Sequence, residues 1–250
     1  MRTFFILFRK ELKGFFYSPF GWVVIAFVIL MNGISLSMAM KGFRDSAAQD
    51  SLVYVAFHTP VFWFYFLFIF PLITLRSFAG EERSGTLETL LTAPVHTSQV
   101  VLSKFSAAYF FYALLWVPTL LQLKLFDLTT QLPPAYNSGA LLGTYSIILL
   151  MGALFVALGC LASALTSSQI IAGIITIFLL IVQNFLGYVT IIWGENFPGA
   201  QAFHYISNQQ HLHYFAKGML DSRPVVYYLS TAAFTLFLTY QVVDFRRWRK

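Results

Sequence analysis

Three histidines near the end of the chain, His204, His211 and His213, are the residues whose type and spacing most suggest a chemical site. An H-x-H pair with a third histidine close by is a spacing that can hold a transition metal. No cysteine and few carboxylates accompany them. The single cysteine, Cys160, can form neither an intramolecular disulfide nor a zinc cluster. We therefore expect no metal site, and read the three histidines, with Tyr205, Tyr214 and Phe215, as parts of short interfacial or re-entrant helices. ATP hydrolysis by the usual route is excluded more firmly. A P-loop needs Gly-Lys followed by Ser or Thr to cradle phosphates and hold magnesium, but no lysine here follows a glycine and none precedes Ser or Thr. No catalytic residue and no cofactor site is expected in this chain.

The elements that must carry these residues belong to a bilayer. Of 250 residues, 58% are hydrophobic and only 10% charged, with mean hydropathy +0.71, whereas a soluble domain carries about 25% charged residues. That composition excludes disorder and argues against a water-soluble enzyme. Spanning the hydrocarbon takes about 20 apolar residues in a helix that pairs its own backbone. Six stretches qualify: 20–40, 59–79, 100–123, 140–163, 169–193 and 224–243. The expected fold is all-α, a single polytopic integral membrane domain over 1–250. No Asp or Glu falls inside these stretches, which argues against a proton-coupled secondary transporter or channel. An embedded hydrolase would need a nucleophile and a base at bilayer depth, and only His58 approaches one, at a span margin. A membrane scaffold without transport stays open as an alternative.

With six spans both termini share a side. That side holds eleven cations against five acids and the other five against five, so the whole formal net charge of +6 falls on one face. By the positive-inside rule that face is cytoplasmic; its charge reflects topology and anionic lipid, not nucleic acid. Residues 1–18 read as an amphipathic helix on the membrane surface, with Phe5, Phe8, Leu12 and Phe15 on one face and Arg2, Arg9 and Lys13 on an adjoining one. The first apolar run is too long for a signal peptide and is read as an uncleaved anchor.

Within the spans, Gly152, Ala153, Ala157, Gly159, Ala162 and Ser163 give the fourth span small surfaces for close helix contact. Asn32, Gln122, Gln183 and Asn184 need partners in lipid. Pro71 and Pro118 are expected to kink spans two and three.

The cytoplasmic connection 80–98 is the most informative segment. It opens with Glu81, Glu82 and Arg83, continues through Ser84, Gly85, Thr86, Leu87, Glu88, Leu90 and Leu91, and is stopped by Pro94. Ser84 or Thr86 can cap a short helix whose leucines share one face; two turns are too short to be stable alone. The bland alternative is a polar loop that satisfies its own ends.

Phe78, Ala79, Glu81 (or Glu82), Gly85, Thr86, Glu88, Leu90, Leu91 and Pro94 reproduce a stretch, F-A-x-E-x-x-x-G-T-x-E-x-L-L-x-x-P, that resembles the cytoplasmic loop of ABC-2 type exporter permeases. The gliding-motility and nitrous-oxide-accessory permeases are the nearest subgroup. The likeness extends, at the level of topology, to the N-terminal helix, the six spans and the segment 194–223 before the last. It implies a permease subunit of an ATP-driven exporter, not itself an enzyme, in the plasma (bacterial inner) membrane with both termini cytoplasmic. Its partners would be two copies of a cytoplasmic ATPase subunit that bind ATP and magnesium, a second permease subunit, same or related, membrane lipid, and an accessory periplasmic protein. The loop would be a coupling helix docked on the ATPase through Glu81, Glu82, Arg83, Ser84, Gly85, Thr86, Leu87, Glu88, Leu90 and Leu91. The segment 194–223, with Tyr205, His211, Tyr214 and Phe215, would help close the outer end of the path.

Overall fold

The computed structural model describes residues 2–45, 52–86, 95–130, 138–194 and 199–248. Among them the chain is helical throughout: α1 (Arg2–Tyr17), α2 (Pro19–Asp45), α3 (Leu52–His58), α4 (Pro60–Thr74), α5 (Ala79–Arg83), α6 (Thr97–Leu114), α7 (Val117–Thr130), α8 (Ser138–Leu165), α9 (Gln169–Trp193), α10 (Ala200–Ile206), α11 (Asn208–Ala216) and α12 (Ser222–Trp248). Five helical segments are long and apolar enough to cross a bilayer, and six if a bent pair counts as one span. The protein is an all-α polytopic membrane protein. One end of the bundle carries α1, α5 and the close of α12 and is rich in cations; it is called the basic end below. The far end carries α10 and α11.

One of the expected spans is broken and another carries a turn. Span two is not a straight helix over 59–79 but α3 and α4 joined at a 62° bend, and α4 stops at Thr74. The bend lies at Thr59–Pro60 and not at Pro71, which sits in the last turn of α4, its carbonyl accepting from Leu75 N at 2.9 Å. A break inside hydrocarbon must re-pair the freed backbone groups. Here Thr59 Oγ1 accepts from Phe62 N at 3.1 Å as an N-cap, and Ser35 Oγ on α2 donates to Ala56 O. Span three runs as α6 and α7, interrupted at Leu115 and Trp116. Pro118 explains this, since it has no N–H for the carbonyl of Leu114 and its ring crowds that oxygen.

The centre of the bundle is α8, 78% buried along its apolar window, against 22–28% for α2, α9 and α12. Its small residues are spent inside the subunit. A Cβ on Gly143 would overlap the Phe215 carbonyl, one on Gly152 the Tyr112 ring, and one on Gly159 the Thr74 side chain. Around these notches stack Phe62, Phe66, Phe70, Tyr112, Trp116 and Phe155, all fully buried, with ring centroids 5.0–6.3 Å apart. Asn32 accepts from Tyr65 OH at 2.7 Å and Gln122 donates to Ile29 O at 3.2 Å, so these two amides tie helices together.

At the basic end α1 lies against α6, with Phe15 stacked on Phe111 at 4.5 Å and Phe8 edge-on to Phe110. The buried side of α1 is Leu7, Leu12, Phe15 and Phe16. Phe5, grouped with that face in the helical projection, is instead 64% exposed beside Ile6, on a side that suits the acyl boundary.

Candidate functional site

Two places gather polar side chains around packed helices: the connection at the basic end and a cavity at the far end.

At the basic end the chain turns through 75–78 and restarts as α5. The restart is held from α8: Ser163 Oγ accepts from Phe78 N and Ala79 N, both at 3.1 Å, so two buried backbone donors depend on one hydroxyl. Gly85, at φ +72°, ends the turn in the left-handed region that favours glycine. Ser84 is the C-cap of α5, its N–H reaching Gly80 O at 3.2 Å; a helix beyond it, with Ser84 or Thr86 as its cap, would run into residues outside those described. Leu87, Glu88, Leu90, Leu91 and Pro94 lie outside the described residues.

Glu81 and Glu82 are ion-paired within the chain. Lys104 on α6, only 2% exposed, sits 2.9 Å from Glu11 of α1 and 2.9 Å from Glu81 of α5; Lys10 reaches Glu81 at 3.2 Å. Glu82 pairs with Arg246 near the close of α12. Beside it Asp244 accepts from Thr97 at 2.8 Å, and Arg247 donates to Val95 O at 3.2 Å. One short helix is thus ion-paired or hydrogen-bonded to α1, α6, α8 and α12. Glu81 and Glu82, expected to reach a partner protein, are occupied within the chain. Arg83, Ser84, Gly85 and Thr86 are the exposed members. Among the described residues of this end the charged side chains left exposed, Arg9, Lys10, Lys13, Arg76, Arg83 and Arg247, are all cationic.

Lys104 was visible in the sequence only as one cation of the basic side. A lysine in the opening turns of an apolar span is the signal that it must be paired, but its acids lie 93 and 23 positions away, beyond any local pattern. Ser163 counted only as a small residue, and its capping role depends on a helix 84 positions earlier.

At the far end α10 and α11 dip into the bundle. Their junction at Ser207 packs on Gly187 of α9, and Asn208 Nδ2 donates to Asn184 Oδ1 at 3.2 Å. Asn184 lies nine residues before the end of α9, about 13 Å below it at 1.5 Å per residue. Between α10, α11 and the start of α12 opens a cavity of about 750 Å³ lined by Gln201, His204, Tyr205, Gln210, His211, Tyr214, Phe215, Met219, Leu220, Asp221, Arg223 and Pro224. All four residues expected at an outer closure, Tyr205, His211, Tyr214 and Phe215, are in its wall. His211 and Phe215 are buried, while Tyr205 and Tyr214 are 42% and 48% exposed. Burial pushes the His211 imidazole down to about 4, the Asp221 carboxylate opposing this weakly. Asp221 also caps α12, accepting from Arg223 N at 3.0 Å, so the helix opens at Ser222, two residues before Pro224.

The three histidines turn to different partners: His204 to Gln210, His211 to Tyr228, and His213 to Tyr54 at 2.7 Å. Among the described residues no three metal-ligating side chains converge. Sequence reasoning overlooked Tyr54 and Tyr228, tyrosines in apolar surroundings whose hydroxyls had to find partners.

Residues 5–244 match the model of a family described as ABC-2 family transporter protein. Comparison with curated proteins finds no match.

Proposed function

The chain belongs to the ABC-2 family of transporter proteins, and on that premise we propose that it is the transmembrane permease subunit of an ATP-driven exporter. It draws its energy from separate cytoplasmic ATPase subunits, two copies binding ATP and magnesium, and works beside a second permease subunit. The basic end is cytoplasmic, in the plasma membrane of a bacterial cell, and the far-end cavity with Tyr205, His211, Tyr214 and Phe215 forms the outer closure. The resemblance of the loop supports the gliding-motility and nitrous-oxide-accessory permeases as the nearest subgroup.

The observation that carries this reading is the charge-locked helix α5. It hangs between two spans, is capped by Ser163 of α8, and is paired to α1, α6 and α12. A push on such an element reaches four helices at once. A partner that contacts it differently in two nucleotide states would shift the bundle between two arrangements. Glu81 and Glu82 are ion-paired within the chain, so docking falls first to the exposed Arg83, Ser84, Gly85 and Thr86, followed by Leu87, Glu88, Leu90 and Leu91, and the partner's groove is acidic where it meets Arg83.

The test is co-expression with a candidate ATPase subunit. Arg83→Glu should weaken the complex and lower permease-stimulated ATP hydrolysis about tenfold, while membrane insertion is unchanged. The exchange Glu82→Arg with Arg246→Glu, which preserves the internal pair, should leave both near wild type. A complex and activity indifferent to Arg83→Glu would remove the coupling role.

A further inference from the structure

The far-end cavity has a wall whose hydrogen-bonding sense is set by a directed chain. Asn184 Nδ2 donates to Leu180 O at 2.9 Å, and Asn184 Oδ1 accepts from Asn208 Nδ2 at 3.2 Å. Asn208 Oδ1 in turn accepts from Tyr228 OH at 2.8 Å. A phenol has one proton to give. With that proton spent on Asn208, the Tyr228 oxygen only accepts, and the His211 Nδ1 at 2.9 Å is its donor. The His211 ring therefore carries its proton on Nδ1, its other nitrogen, Nε2, is an acceptor, and the residue lines the cavity. Burial keeps that ring neutral at ordinary pH.

The charged members of the lining, Asp221 and Arg223, stand 4.0 Å apart at the exposed rim, so the wall has no net charge. The rim also carries Met219, Leu220 and Tyr214, which are 50%, 70% and 48% exposed. Buried Phe215 and Pro224 line the wall. A volume of about 750 Å³ falls within the range of small-molecule sites.

We propose that this cavity binds a neutral, hydroxyl-bearing group, one hydroxyl donating to His211 Nε2; where that group is a lipid headgroup, its apolar part lies along Met219, Leu220 and Tyr214. A carboxylate or phosphate would meet the Nε2 lone pair with its own negative charge. An ammonium group would lose its hydration against a carboxylate already paired to Arg223. A hydroxyl donates at no such cost. The shared chemistry is that of a sugar, whether as a lipid headgroup or free in solution. The site does not depend on ATPase coupling, so binding is expected to survive the Arg83→Glu change that uncouples the motor.

The experiment uses the full chain in nanodiscs of phosphatidylethanolamine and phosphatidylglycerol, photolabelled with octyl glucoside carrying a diazirine in its alkyl chain and mapped by peptide mass spectrometry. Label should concentrate between Gln201 and Pro224 and be displaced by unlabelled octyl glucoside. Displacement by glucose as well assigns the site to a free sugar; displacement by octyl glucoside alone assigns it to a lipid headgroup. His211→Phe should cut labelling about tenfold, the worth of one good hydrogen bond, while His211→Gln, which keeps an acceptor, should retain most of it. Should the His211 variants fold poorly, Leu220→Trp narrows the rim at an exposed position and should lower labelling by a similar factor. Label spread evenly over the lipid-facing helices, equal displacement by octyl phosphocholine or octylamine, or labelling unchanged in folded His211→Phe or in Leu220→Trp overturns the proposal.

Discussion

Lys104 shows how one side chain can decide whether the basic end holds together. Its ammonium is almost fully buried between Glu11 and Glu81, which are themselves only 20% and 15% exposed. Removing the cation leaves two carboxylates with reduced hydration and only the exposed Lys10 beside them, and breaking a buried pair costs roughly 3–5 kcal/mol. Lys104→Met should therefore lower the thermal midpoint of the detergent-solubilised protein by several degrees, and adding Glu81→Gln should recover part of the loss. A Lys104→Met protein as stable as wild type would mean that the triad contributes nothing. The residue types at this end were legible from sequence, but their orientation was not. The acids of a polar loop look like solvent or partner contacts until the cations that claim them, Lys104 for Glu81 and Arg246 for Glu82, are placed beside them, and only the fold does that.

At the scale of elements, the apolar runs marked the spans well because a helix in lipid must be long and apolar regardless of its neighbours. The run 169–193 coincides with α9, and the fourth and sixth runs extend by only a few residues into α8 and α12. The breaks were harder to see. Pro118 acts as a proline in a span should, whereas the 62° bend sits at Thr59–Pro60, where Ser35 from α2 satisfies Ala56 O. Close packing of α8 is likewise a tertiary fact. Gly152 is pressed against the Tyr112 ring while Gly14 on α1 has open space around it. Gly152→Leu should cost about 3 kcal/mol or more by overpacking and abolish a monodisperse peak in gel filtration, whereas Gly14→Leu should leave the elution profile unchanged.

For the whole molecule the question is which end faces which compartment. The concentration of the net charge of +6 on one side sets the expectation. The lone native cysteine, Cys160, is buried in α8, so it should stay silent to a membrane-impermeant maleimide. Ser84→Cys and Met219→Cys place thiols at exposed positions on opposite ends. Intact cells should label the Met219→Cys protein and not Ser84→Cys, and inverted vesicles should reverse this; the opposite pattern would turn the molecule over. The far-end arrangement was the part of the architecture least available to sequence reasoning. The aromatic and histidine content of 194–223 identified an interfacial segment, but its descent to Asn184 depends on an amide pair between helices that no periodicity encodes.

The hold of α8 on both ends of the bundle constrains how such a chain can change over time. Gly143 admits the backbone of α11 at one end and Ser163 caps α5 at the other, 20 residues or about 30 Å apart on one uninterrupted helix. Inserting or deleting a single residue between them would rotate one attachment by about 100° against the other. This stretch is therefore a fixed-length ruler: a change of one in its residue count would set its two attachments out of register.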